Sequence, residues 1–271
     1  MQVSVILSTY NAPDWLEKVI WGYAAQTHRN FEIVVADDGS NDDTPERIVK
    51  LRRETGLTIR HVWHAKQGFR KCTILNRAIC EAACEYLVFS DGDCIPRRDF
   101  LQVHVKHARP GHFLSGGAIR LPMSVSQLIT RDDITSGRCM QLGWLIRNRV
   151  GWNRKLRMLI GGPRFGALMD AITTTQATWN GGNASAWKTD IERANGYDER
   201  MEHGGLDREL GERLFNLGLK SIQIRHRAVC LHLDHARGYI RPEARARNLE
   251  IRKTTVRQRI TWTDYGIRKS A

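Results

Sequence analysis

The chain has 271 residues, of which 41% are hydrophobic, enough for one large core or two modest ones. Its formal net charge of +13 suits nucleic acid, an anionic lipid surface or an anionic substrate and does not choose among them. No run approaches the roughly 20 apolar residues that span a bilayer, MQVSVILSTYN lacks the basic region of a signal peptide, and the six cysteines form no C-x-x-C pair, which argues for reduced thiols in a cytoplasmic protein and against a disulfide framework or a zinc site.

In chain order, VSVILST is a short β-branched run that reads as a buried strand, and after Pro13 the residues Trp15, Leu16, Val19, Ile20 and Tyr23 recur at helical spacing. FEIVVADDGS is a second strand ending in carboxylates and a glycine turn, TPERIVKLRRETG a helix with glycine past its end, and LTIRHVW a third strand. RKCTILNRAICEAAC is a helix leading into a fourth strand, YLVFS. Strands alternating with helices predict an α/β fold with a mostly parallel central sheet. Beyond residue 120 the rhythm breaks: residues 121–179 read as helical or irregular. A glycine-rich stretch then precedes a helix with Leu206, Leu210, Leu214 and Leu217 on one face, and KSIQIRHRAVCLHLDH is strand material carrying histidines.

The polar residues of interest follow strands. Thr9, Tyr10 and Asn11 come after the first, Asp37 and Asp38 after the second, Asp91 and Asp93 after the fourth. In an open α/β sheet the carboxyl ends of the strands lie along one edge, where ligands bind. The Asp-Gly-Asp of YLVFSDGDC puts two carboxylates at such a mouth, with a glycine that permits a turn. A hard divalent cation, Mg²⁺ or Mn²⁺, would suit them together with a diphosphate, and a solvated turn is the alternative. Asp38 is placed to accept from a ribose hydroxyl or a base N–H. In LHLDHA, His232 and His235 would point apart as strand residues, whereas a turn or helical spacing would bring both to one ligand; histidine with carboxylate is a Mn²⁺ set, and an ordinary surface or core histidine is the alternative. In HGGLDREL, Asp207 at the head of a helix reads as a general base or as a simple cap.

Taken in order, VSVILSTYN, VVADDGSNDDT, GFRKCTILNRAI, LVFSDGDCIP, GGNASAWKTDIERANGYDE and HGGLDREL resemble the family 2 glycosyltransferases of the GT-A fold, and the later motifs are similar to bacterial galactosyltransferase-like and chondroitin-polymerase-like members. The resemblance runs from about residue 2 to about residue 235. It implies an inverting, Mn²⁺- or Mg²⁺-dependent transfer of galactose, N-acetylgalactosamine or N-acetylglucosamine from a UDP-sugar to a hydroxyl of a cell-surface glycan precursor. By position, Thr9 and Tyr10 would line the nucleotide site, Asp38 would meet the uracil or ribose, Arg70 the base or phosphates, and Asp91 the ribose or sugar. Asp93 would hold the metal with His235 or His232, and Asp207 would be the catalytic base; the glutamate usual before it is Leu206 here. Trp179, Asn183, Glu202 and His203 would border the sugar and acceptor. The expected organisation is one GT-A domain over residues 1–235, with a nucleotide-sugar half (1–120) and an acceptor half (121–235), followed by a basic extension over 236–271.

Two other readings compete. A sugar nucleotidyltransferase would want a glycine-rich loop after the first strand, and STYNAPDW offers none. A basic nucleic-acid binder is suggested by Trp144 and Trp152 among arginines, but leaves the strand-end carboxylates unexplained; no nucleic-acid partner is expected. The charge is concentrated: seven basic and no acidic residues between Ile134 and Met169, ten basic and three acidic from Arg237 to the end. Leu142, Leu145, Ile146, Trp152, Leu156, Leu159 and Ile160 fall near helical spacing among those arginines, the composition of a helix lying on an anionic bilayer. A peripheral enzyme on the inner face of the cytoplasmic membrane, extending a lipid-linked glycan in lipopolysaccharide, O-antigen or capsule synthesis, would use such a helix; the alternative is an acceptor-subdomain core.

Overall fold

Strands β1 (Val3–Thr9), β2 (Phe31–Asp37) and β4 (Tyr86–Asp91) are almost wholly buried, as continuous aliphatic runs demand when helices cover both faces of a parallel sheet. The computed structural model describes residues 1–151, 154–236 and 241–269. With β3 (Ile59–Trp63) these strands run parallel in the order β3-β2-β1-β4, and the register sets Thr9 beside Asp37 and Ser8 beside Asp91. Alternation along β1 sends Val5 and Leu7 to one core and Ile6 to the other. The first core is closed by α1 (Pro13–Ala24) and α2 (Asp43–Thr55), the second by α3 (Lys71–Glu81).

The chain then turns at Gly92 into the short β5 (Cys94–Pro96) and α4 (Phe100–His107). Strands β6 (His112–Ser115) and β7 (Gly117–Arg120) go to different sheets. The central sheet continues through β8 (Asn183–Trp187), antiparallel to β4 and β6, and ends at β9 (Lys220–Gln223), giving seven strands in the order β3-β2-β1-β4-β8-β6-β9. A second sheet, β5-β10-β7, is centred on β10 (Val229–His232). One sheet therefore crosses the expected boundary at residue 120.

Two expectations are corrected. Residues 138–160 do not form one surface helix: a 3-10 turn at Arg138–Met140, a short helix at Leu142–Arg147 and a 3-10 turn at Arg154–Leu159 follow one another, and Leu145 and Leu156 are wholly buried in the first core. The apolar spacing records burial, not a bilayer; Trp152 lies outside the described residues. Nor is the C-terminal segment an appendage. Helix Pro242–Arg257 packs on Leu206–Asn216, burying Asn248 and Thr255, and Asn216 donates to the carbonyls of Thr255 and Ile260. Two of its arginines pair with neighbours, Arg252 with Glu212 and Arg247 with Glu202.

Candidate active site

The carboxyl ends of β1, β2 and β4 open into a cleft of 1810 Å³, larger than the roughly 300–1,000 Å³ of a site for one small molecule and with room for a donor and an acceptor. At the β2 end, buried Asp38 receives His64 Nε2 and Lys66 Nζ, each at 2.8 Å, and the backbone N–H of Arg70 at 3.2 Å. Lys66 also stands 3.7 Å above the exposed ring of Tyr10, a cation–π contact that holds the ring as a shelf at the rim. Thr9 lines the same end, and its buried Oγ1 has no hydrogen-bond partner among the described residues.

One turn further along the edge, Asp91 Oδ1 accepts from Ser8 Oγ at 2.6 Å and Lys71 Nζ at 2.7 Å. Burial works against the ionised form, but the Lys71 charge and these hydrogen bonds outweigh it and hold Asp91 below the usual carboxylate range. Burial opposes the charge of Lys71 too, and Asp91 and Asp207 outweigh it, so the ammonium persists.

Asp93 faces the histidines. Because β5 pairs antiparallel with β10, Cys94 sits opposite His232, and the chain leaving β10 folds back as Leu233 N–H donates to the Asp93 carbonyl at 2.8 Å. Asp93 Oδ1 lies 3.8 Å from His232 Nε2 and Oδ2 lies 3.3 Å from His235 Nε2, with the two imidazoles stacked at 5.5 Å. Both histidines thus reach one carboxylate, through the turn that separates them. Burial and the neighbouring charge of Asp91 push Asp93 up, a strain that a bound cation would relieve. One carboxylate and two imidazoles form a suitable donor set for Mn²⁺. Cys94 Sγ also lies within the group, but its hydrogen bond with Cys230 and its burial push the thiol well up, leaving a poor ligand.

Asp207 closes the row. It is the second residue of helix Leu206–Asn216, whose cap Gly205 adopts φ 92°, a conformation that favours glycine. Its side chain meets the hydroxyl of Tyr197 at 3.5 Å. The Gly181-Gly182 pair makes room for both acids: a Cβ at Gly181 would collide with Asp207 Oδ1, and one at Gly182 would come within 2.9 Å of Asp91 Oδ2. Burial pushes Asp207 up to about 6, against the pull of Lys71 and with the push of Asp91. A carboxylate held near neutrality at a cleft is suited to proton transfer.

Thr9, Tyr10, Asp38, Asp91, Asp93, His232, His235, His203 and Asp207 all line this one cleft. Three expectations are corrected. The Arg70 guanidinium turns to Gln67 at 2.7 Å, and only its backbone N–H serves Asp38. Asn183 is wholly buried: its Nδ2 donates to the carbonyls of Gly117 and Ala228, and its Oδ1 takes the Nε2–H of His104, which burial keeps neutral by lowering it to about 3. It ties the two sheets together. Trp179, by contrast, is part of the cleft lining, with its ring packed against Phe89 and Phe113 and its Nε1–H on the Tyr197 hydroxyl. The Glu202 carboxylate is bound by Arg241 and Arg247, away from the cleft.

Sequence reasoning passed over Lys66, Lys71 and Ser8. A signal was present for Lys71: a lysine in the first turn of a helix opposes the helix dipole, which favours it only where a carboxylate outside the helix compensates.

The family model for glycosyl transferase family 2 matches residues 4–167. Chondroitin synthase of Escherichia coli is 24% identical over 224 residues, 80% of this chain and 32% of that protein. The chain spans only 18% to 31% of the length of the first curated relatives it matches, uncharacterized glycosyltransferases. Among solved structures, the mannosyltransferase PcManGT of Pyrobaculum calidifontis, in complex with GDP-Man and Mn²⁺, superposes with a TM-score of 0.63 at 20% identity, covering 95% of this chain and 64% of that one. TarS of S. aureus, residues 1–349 in complex with UDP-GlcNAc, gives 0.63 at 15%, covering 93% and 65%. These likenesses show the GT-A fold.

Proposed function

The chain belongs to glycosyl transferase family 2, and on that premise we propose that it moves galactose, N-acetylgalactosamine or N-acetylglucosamine from UDP to a hydroxyl of a cell-surface glycan precursor, with inversion. The observation that carries this reading is the row of groups on one cleft floor: Tyr10, Lys66 and Asp38, then Asp91 with Lys71, then Asp93 with two histidines, then Asp207. The uracil stacks on Tyr10 and presents its N3–H to Asp38. Asp91 receives a ribose or sugar hydroxyl. Asp207 takes the proton of the acceptor hydroxyl as its oxygen bonds the anomeric carbon, and the bond to the β-phosphate oxygen breaks with its electron pair leaving on UDP. Positioned general-base catalysis of this kind contributes about 10² to 10⁴ in rate. Lys71 holds Asp91 by a hydrogen bond, and its charge favours the ionised form of Asp207.

Asp93, His232 and His235 would hold a divalent metal, Mn²⁺ or Mg²⁺, which neutralises charge on a departing diphosphate. The Mn²⁺ and the nucleotide-sugars bound by the two structural neighbours support this reading, and Asp38 is an acceptor suited to the uracil N–H or a ribose hydroxyl. Incubation with UDP-galactose, UDP-GlcNAc and UDP-GalNAc, and separately with GDP-mannose, with Mn²⁺ and without acceptor, tests it by slow release of the nucleoside diphosphate. Turnover of one of the UDP-sugars beyond the buffer rate supports the reading, and turnover of GDP-mannose alone contradicts the donor.

The acceptor is, on this reading, a lipid-linked glycan met by a peripheral protein at the cytoplasmic face of the membrane. No helix among the described residues is long and apolar enough to cross a bilayer. An apolar patch is formed by helix Pro163–Ala171, which exposes Phe165 and Leu168 at 41% and 58%, and by its cap Ile172 at 60%, which lines the cleft rim with Met169. Co-sedimentation with phosphatidylglycerol vesicles at low salt, lost in Leu168→Glu, is the expected result; equal sedimentation of both proteins contradicts it.

A further inference from the structure

Residues 233–236 belong to no strand or helix, yet they carry His235 to Asp93. The place of His235 is set by contacts made one residue earlier. The Asp234 carbonyl accepts from Trp15 Nε1 at 3.0 Å, and the Asp234 N–H donates to Ser126 Oγ at 2.9 Å. The His235 N–H donates to Asp234 Oδ1 at 3.0 Å, so both polar groups of the peptide between Asp234 and His235 are held. The two partners come from elements far apart in the chain, Trp15 from α1 and Ser126 from helix Met123–Leu128. Each is itself anchored. The Trp15 ring packs against the first core, and Ser126 is wholly buried with its hydroxyl donated to the Pro122 carbonyl at 3.0 Å. Lys18 Nζ ties α1 to the same helix through the Ser126 carbonyl at 2.7 Å.

The imidazoles on this turn are oriented as ligands. His232 Nδ1 meets the carbonyl of Leu233 at 2.8 Å, and His235 Nδ1 that of Ala236 at 3.0 Å. A carbonyl only accepts, so each Nδ1 carries a proton and each neutral ring turns its Nε2 lone pair toward Asp93. Those lone pairs lie 3.8 and 3.3 Å from carboxylate oxygens, acceptor facing acceptor, which a cation between them makes favourable. Strand register holds His232 opposite Cys94. His235 has no strand to hold it, and a constellation of this kind must be kept within about 0.5 Å of its working geometry.

We propose that Trp15 and Ser126 are positioning residues that place His235 for the metal. The proposal rests on the metal reading above, and its test separates the two. Mn²⁺ is titrated into the whole metal-free protein and the free ion is read by electron paramagnetic resonance, with a cooperative urea transition in EDTA showing that each variant is folded. The wild type should bind Mn²⁺ at a site that Asp93→Ala lacks. Trp15→Phe keeps an aromatic ring against the core and removes the N–H; it should weaken that site about tenfold, the lower end of what the partners of metal ligands contribute. Ser126→Ala, which removes the other support, should act in the same direction. In a His235→Ala background Trp15→Phe should change the affinity by less than about twofold, because no ring is left to place. Affinity within about twofold of wild type in whichever single variants fold overturns the proposal, as does an equal loss with and without His235. A wild-type protein that binds Mn²⁺ no better than Asp93→Ala overturns the metal reading, and this proposal with it.

Discussion

Replacing Asp207 by asparagine isolates the proton-transfer step. The amide keeps a carbonyl oxygen for the Tyr197 hydroxyl, which lies 3.5 Å from Asp207 Oδ1, and keeps the volume beside Gly181, so the fold has no cause to change. What is lost is the basic lone pair. A positioned base is worth about 10² to 10⁴, so kcat for UDP release from the best UDP-sugar should fall by about that factor, with the donor KM within about threefold because Asp207 does not hold the nucleotide. The pH profile adds a second signature. Burial sets Asp207 at about 6, and only its ionised form accepts a proton. Activity should therefore be full above that value and fall as pH drops through it, to about one tenth at pH 5. In Asp207→Asn this acid limb disappears from what activity remains. The assay is UDP release followed from pH 5 to 8.5, with near-ultraviolet circular dichroism as the folding control. More than a tenth of wild-type kcat in a folded variant, or an unchanged acid limb, would refute the assignment.

Other consequences follow from single contacts. Lys71→Met removes the cation that lies 2.7 Å from Asp91 and lowers Asp207; the acid limb of the pH profile should move upward, and a downward or absent shift contradicts the coupling. Asn183→Ala removes one donor from the buried carbonyls of Gly117 and Ala228 and leaves the buried Nε2–H of His104 without its acceptor, costing about 1–3 kcal/mol for a group left unsatisfied; urea denaturation should show this loss with UDP affinity little changed. Asn248 Nδ2 donates to the carbonyls of Glu202 and Gly204, so Asn248→Ala should loosen the turn before Asp207 and lower kcat more than donor affinity, read from the same UDP-release assay.

Legibility in the sequence followed the range of the contacts involved. β1, β2 and β4 are buried on both faces and read as uninterrupted aliphatic runs, and the carboxylates that follow them lie along one edge because parallel strands share a direction. The meeting of Asp93 with His232 and His235 depends on β5 pairing with β10 across more than 130 residues, and no local pattern encodes that. Asn183 misled for a related reason: it follows the glycine pair that shapes the cleft, yet it opens β8, where its side chain points between the sheets. In residues 138–160 helical spacing was real but burial caused it, since Leu145 and Leu156 lie in the core. Arg70 and Lys71 are adjacent, and which of the two reaches the cleft depends on where α3 begins, a boundary that propensity leaves uncertain by a residue or two.

The donor site is tested most directly by the thermal stability of the pure protein with UDP, GDP, CMP and ADP, each with and without Mn²⁺, for the wild type and Asp93→Ala. A ligand bound only by the folded state adds about 2.7 kcal/mol at a hundredfold excess over Kd, a readily measured rise in Tm. UDP with Mn²⁺ should raise the wild-type Tm more than the other nucleotides do, and the Asp93→Ala protein should lose the metal-dependent part. An equal response to all four nucleotides, or a UDP response indifferent to both Mn²⁺ and Asp93, would contradict a UDP-sugar site built on that carboxylate.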